Sequence, residues 1–185
     1  MEEAIERKNS FQESTNDGLI LGAIHSLVYV ILYFLIPSKI TGFSYLFFVI
    51  ALNIGYNIYN TIAYRSTLEG GFIEFGKVFQ LTFFTLLISG SIASLVVPIT
   101  ISLVDSNFSE VMAQSQFDTS IYWAQKFGAP EETIDQMKEK MDMDELKKSY
   151  SLTKMLIGFC IATVFYALAG VIVGFIVRKS QPVEI

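Results

Sequence analysis

Apolar residues fall into four long, almost uncharged stretches, and the charged and turn-forming residues collect between them. A helix needs about 20 mainly apolar residues to cross a hydrocarbon layer roughly 30 Å thick. Residues 18–36, 43–63, 78–104 and 152–177 meet that length. The pattern predicts an all-α fold: a four-helix transmembrane bundle with polar tails at 1–17 and 178–185 and an extracytoplasmic helical hairpin at 105–151.

Ser14, Thr15, Asn16 and Asp17 are residue types that cap a helix start, and Pro37 ends the first stretch. The connection from Pro37 to Gly42 is so short that the first two spans are expected to be antiparallel neighbours. The opening MEEAIERKNSFQESTND lacks the basic start of a signal peptide and the apolar run after it is too long, so the first span reads as uncleaved.

Between Phe75 and Val104 the chain has some thirty residues, about 45 Å at 1.5 Å rise each and more than a bilayer's hydrocarbon needs. The third span is therefore expected to kink near Pro98 and continue out of the membrane, where Phe108, Val111, Met112, Ile121, Ala124 and Phe127 recur at roughly helical spacing. Gly128, Pro130, Glu131 and Glu132 then mark a helix stop and a new start. Ile134, Met137 and Met141 form an apolar stripe on the second arm. The plain expectation is that this stripe and the aromatic one pack the arms together; the sharper one is an adaptable docking surface near Trp123. Asp142, Asp144 and Glu145 lack the glycine and spacing of a calcium loop and read as a solvated face.

Composition sharpens this picture. Of the 185 residues 52% are hydrophobic and only 17% charged, and the mean hydropathy is +0.47; soluble domains carry about 25% charged residues. A net charge of −5 with 13 Lys and Arg excludes nucleic acid as the main partner. One Cys and one His cannot build a disulfide or the usual zinc site, and no cofactor is expected. Arg7, Lys8, Arg65, Lys77, Arg178 and Lys179 flank one side of the spans and Lys39 stands alone in the short loop on the other, which places both termini in the cytoplasm. The segment 105–151 carries ten acidic residues and five lysines, and so the whole formal charge of the protein.

Within the spans, Gly18 and Gly22, and Gly170 and Gly174 with Tyr166 one turn earlier, are small-residue faces suited to helix packing inside the bundle or across a dimer. Ser89, Gly90, Ser91 and Ser94 give the third span a similar face. Asn53, Asn57 and Asn60 fall at i, i+4 and i+7, and hydrocarbon would leave their amides unpaired. His25, Ser26, Tyr29 and Tyr33 on the first span lie at comparable depth. Two readings stay open: a hydrogen-bonded seam locking the first two helices, or the lining of a path for a small polar solute or a proton, with His25 as the titratable group. Metalloprotease, nucleophile-elbow and phosphate-loop motifs are absent, Cys160 reads as a small packing residue, and Gly70 and Gly71 read as a turn.

The stretches GLILGAIHSLV (18–28), EGGFIEFGKVFQLTFF (69–84), GAPEETIDQMKEKM (128–141) and the closing span resemble the integral-membrane domain-of-unknown-function family 4199 over residues 18–177. The resemblance implies a bacterial inner-membrane protein of four helices and supplies no activity or catalytic residue. The expectation is a non-enzymatic structural or accessory component in the cytoplasmic membrane, acting through a membrane-protein partner or self-association. The alternative is a small transporter or channel-like subunit using the His/Asn seam.

Overall fold

The computed structural model describes residues 10–180, so Arg7 and Lys8 lie outside the described residues. Helix α1 (Ser10–Leu35) is joined by a short turn to α2 (Phe43–Ser66), and α3 (Phe75–Ser91) continues through a π-helical turn, Ile92–Val96, into α4 (Val97–Val104). Three shorter helices follow, α5 (Phe108–Lys126), α6 (Glu131–Lys140) and α7 (Met143–Ser149), before α8 (Leu152–Val177) closes the chain. Four rods, α1, α2, α3 with α4, and α8, are long and apolar enough to cross a membrane.

Their polarity is reversed relative to a soluble bundle. Ser14, His25, Asn57, Thr61, Thr82, Thr85 and Ser89 are buried, while Leu27, Ile31 and Phe34 on α1, Phe47 on α2 and Ile161, Val164, Phe165 and Phe175 on α8 are exposed. Water would penalise such a surface; hydrocarbon is as apolar as leucine, so helices there associate through small residues and hydrogen bonds.

Helix α3 is the centre of the bundle, with α1 and α8 making the most extensive contacts on it. Added Cβ atoms at Gly18 and Gly22 would stand 2.7 Å from Ile88 Cβ and 2.8 Å from Ile92 Cδ1. On the other flank, Cβ atoms at Gly170 and Gly174 would meet the rings of Phe79 and Phe75. All four glycines therefore sit where a helix of this same chain approaches closely.

The expected pairing of the first two spans is corrected: α1 lies along α3, and its contacts with α2 are few. A short loop forces antiparallel succession but not adjacency, and the glycine face of α1 draws it to α3 instead. Ser14 and Thr15 are not caps, because α1 is already helical at Ser10; their hydroxyls donate back to the carbonyls of Ser10 and Phe11, both at 2.8 Å.

The third rod departs from regularity one turn ahead of Pro98. Proline has no N–H to donate, and the widened turn lets Val97 N–H reach the carbonyl of Ile92. The rod ends at Asp105, so the outer helix α5 is a new element and not a continuation. In place of a two-armed hairpin the outer segment forms three helices. Gly128, with φ 78°, turns the chain after α5. The second arm then divides at Asp142, whose carboxylate caps α7 by accepting from the N–H groups of Asp144 and Glu145. Of the expected stripe, Phe108 and Met112 pack not on the second arm but on Tyr29, Tyr33, Val97 and Ile101 of the membrane rods.

At the end where residues 10 and 180 lie, Tyr64, Val78, Leu81, Val173 and Val177 form a second core, with Ile54 and Ile58 of α2 against it. Gly70 and Gly71, at φ 72° and 64°, make the turn there. Ile73 and Lys179 exchange backbone hydrogen bonds of 3.0 and 2.9 Å. Arg65 Nη1 donates at 2.8 Å to the Val177 carbonyl, one of the acceptors that the end of α8 leaves open.

The outer helices are tied to α1 by Tyr33, whose hydroxyl donates to Asp105 Oδ2 at 2.7 Å, while Asn107 N–H donates to Asp105 Oδ1 at 2.9 Å. The Tyr33 bond, then the Asn107 bond, hold the Asp105 carboxyl below its ordinary value of 3.8. A carboxyl depressed on folding contributes stability above its unfolded pKa, and that contribution is lost as pH falls through the folded one. The difference in thermal unfolding midpoint between wild type and Asp105→Asn in detergent should thus be constant near neutral pH and shrink as pH drops below about 4. Parallel curves down to about pH 3 would contradict the tie.

Candidate functional site

Polar side chains at membrane depth face protein or cavity because lipid gives them no partner. His25 sits on the face of α1 that carries Gly18 and Gly22, one turn further along, and is only 4% exposed. That face lies on α3, and the imidazole Nδ1 meets Ser89 Oγ at 3.1 Å. The other ring nitrogen, Nε2, is buried with no hydrogen-bond partner among the described residues. Ser26 turns away, donating to the Gly22 carbonyl at 2.7 Å. The Tyr29 hydroxyl reaches only Met112 Sδ, at 4.0 Å.

The three asparagines of α2 separate. Asn57 Nδ2 donates to the Asn53 carbonyl at 2.8 Å, and the Asn60 side chain bonds Tyr56 one turn back, so both are engaged within their own helix. Asn53 differs: its Oδ1 is buried and has no partner. The structure thus forms no amide ladder between α1 and α2.

It does bring His25 and Asn53 to one place. Both line a cavity of about 460 Å³ between α1, α2, α3 and α8. The π-helical turn contributes Ala93 and Ser94 to the wall, and α3 contributes Leu86, Ser89 and Gly90. Such π-turns are frequent at functional sites, since the extra residue re-aims side chains. Tyr166 of α8 enters because Gly90 has no side chain; a Cβ there would overlap the Tyr166 hydroxyl. Tyr45 and Val49 of α2 and Met155, Gly158 and Phe159 of α8 complete the sides.

The outer helices form the roof. Phe108, Met112 and Tyr150 line the cavity from above with Thr41 of the first turn. Tyr150 donates to Gln116 Oε1 at 2.8 Å, and burial pushes its phenol up to about 12, so it stays neutral at physiological pH. The wall holds tyrosine, serine, threonine, asparagine and histidine but no Lys, Arg, Asp or Glu. It is a hydrogen-bonding site without fixed charge. Among the described residues no cluster of His, Cys, Asp and Glu has the grouping to hold a metal ion. Cys160 is exposed on α8 and lies outside the cavity wall.

The sequence reasoning named Ser89 but missed Thr82 and Thr85, which extend it into a buried hydroxyl row on α3. Its i, i+3, i+7 spacing was a usable signal, masked by the phenylalanines and leucines around it. The roof tyrosine Tyr150 had no local signal, since it reaches the cavity only through the fold of the outer helices.

A family profile described as protein of unknown function (DUF4199) matches residues 16–179. No curated protein and no solved structure matches the chain.

A buried polar group kept without a partner costs stability, and an apolar replacement of similar shape removes that cost. Asn53→Leu should therefore leave the unfolding midpoint in detergent unchanged or raise it, with a gain of up to about 2 kcal/mol. A loss of more than about 1 kcal/mol would show that Asn53 is structural rather than a wall group held for a ligand.

Proposed function

The chain belongs to the DUF4199 family, whose description assigns no function, and we propose from its own cavity that it is a non-enzymatic multi-pass protein built around a small-solute site, as in a transporter or channel-like subunit. One observation carries this reading: of three buried polar atoms without partners among the described residues, two, His25 Nε2 and Asn53 Oδ1, belong to residues in the wall of a single cavity, while Thr82 Oγ1 lies outside it. Proteins pair nearly all their buried polar groups, so two left over at one cavity point to a molecule that pairs them. Both termini on the cytoplasmic side of a bacterium's cytoplasmic membrane complete this reading; Arg65, Lys77, Arg178 and Lys179 support the orientation, because all four lie toward the end where residues 10 and 180 sit.

A structural or accessory role through a membrane-protein partner or self-association is the second reading. It is favoured by α2, the least buried of the four rods, which exposes Phe43, Leu46, Phe47 and Ile50 on its outer half. The two readings separate in one experiment. Gly158 lines the cavity and has nothing within 4 Å of where its Cβ would stand, so Gly158→Trp adds bulk at the cavity wall without a clash at Cβ and leaves the exposed outer face of α2 unaltered. Mass spectrometry of the intact protein released gently from its membrane should show a small-molecule adduct in wild type that Gly158→Trp loses. Identical adduct patterns in the two proteins would contradict the solute site.

A further inference from the structure

We propose that the cavity takes its ligand sideways from the bilayer, between α2 and α8, and that this ligand is an uncharged amphiphile with a hydroxyl head group and an apolar body. The inference rests on the solute-site reading above and names the class of molecule that site accepts.

The route follows from how α2 and α8 diverge. They meet toward the end where residues 10 and 180 lie, where Ile54 and Ile58 pack on the core that includes Val173 and Val177. In the other half the cavity lies between them, walled by Tyr45, Val49 and Asn53 on one side and Met155, Gly158 and Phe159 on the other. Gly158 is at once a wall residue and an exposed one, with nothing within 4 Å of where its Cβ would stand. The cavity therefore opens through the side of the bundle at Gly158, at a depth where the neighbouring Leu156, Ile157 and Ile161 present apolar surface outward. On the outer side Phe108, Met112 and Tyr150 line it, with the exposed Ser149 at its edge. A molecule reaching this opening comes from the lipid phase.

The head group follows from the two unpaired atoms whose residues line the cavity. Asn53 Oδ1 only accepts, so the ligand must donate there. His25 Nδ1 is bonded to Ser89, which makes Nε2 a donor if the serine hydroxyl donates to the ring and an acceptor if the ring donates to the serine. When the Ser89 hydroxyl donates to the ring, a single ligand hydroxyl can donate to Asn53 Oδ1 and accept from Nε2–H; in the other tautomer both protein atoms are acceptors and one hydroxyl proton serves only one of them. A carboxylate cannot donate to Asn53 and finds no cation in the wall; an ammonium finds no anion. The apolar body follows from Val49, Leu86, Met155 and Phe159.

The test uses three diazirine photoprobes of equal chain length, a decyl alcohol, a decyl carboxylate and a plain decane, on the full-length protein in lipid nanodiscs. Labelled residues are mapped by peptide mass spectrometry, with Met112, Met155 and Phe159 as cavity reporters and Phe165 and Phe175 as reporters of the outer face. The alcohol should label the cavity reporters about tenfold more than either other probe, and His25→Leu should remove that preference. Competition by unlabelled decanol on wild type gives the same information without a variant. Cavity labelling that is equal for all three probes, or strongest for the carboxylate, would overturn the hydroxyl class while leaving a solute site. Labelling of the outer face alone, with the cavity reporters untouched by every probe, would overturn the solute site itself.

Discussion

Hydrocarbon offers no hydrogen bonds, so every polar group at its depth must find a partner within the protein or line a space that holds one. Most of this chain follows from that constraint. Serine and threonine hydroxyls turn back onto the carbonyl one turn earlier, as at Ser14, Ser26, Ser91 and Thr100. Glycines replace larger residues where α1 and α8 approach α3, since close backbone contact stands in for the hydrophobic effect that lipid removes. Large apolar side chains point outward because there they meet a solvent like themselves.

The same constraint gives the exceptions their meaning. Pro98 interrupts the ladder of the third rod, and the π-turn before it carries Ala93 and Ser94 into the cavity wall. Gly90, one residue before Ser91 ends α3, leaves the space that Tyr166 fills. The irregular backbone, the small residue and the partnerless His25 and Asn53 thus converge on one volume, although they come from three of the four rods. Here a mostly apolar wall keeps hydroxyl, amide and imidazole groups among its side chains and carries no fixed charge.

The four rods were legible in the sequence because length and composition alone set them, and the glycine faces were legible because small residues four apart are conspicuous on an apolar helix. Which helix each face would meet was not legible. The short Pro37–Gly42 connection pointed to α1 beside α2, whereas packing on α3 decided otherwise, a tertiary choice that local spacing does not encode. The asparagine stripe was read as one feature, but its members differ by depth and neighbours: Asn57 and Asn60 are satisfied inside α2 and only Asn53 reaches the cavity. Asp142 was seen as one of a cluster of acids, and its role as the cap that divides the outer arm appears only once α7 is placed.

The outward faces of the four rods are apolar enough to require lipid around them. Cys160, the single cysteine, is exposed on α8, about 12 Å along a helix that spans a layer roughly 30 Å thick. A nitroxide attached to it in proteoliposomes reports its surroundings directly through collision with oxygen, which concentrates in hydrocarbon, or with a water-soluble nickel chelate. Relaxation by oxygen and near-immunity to the chelate is the result this account predicts. Strong relaxation by the chelate would place that face in water and contradict it.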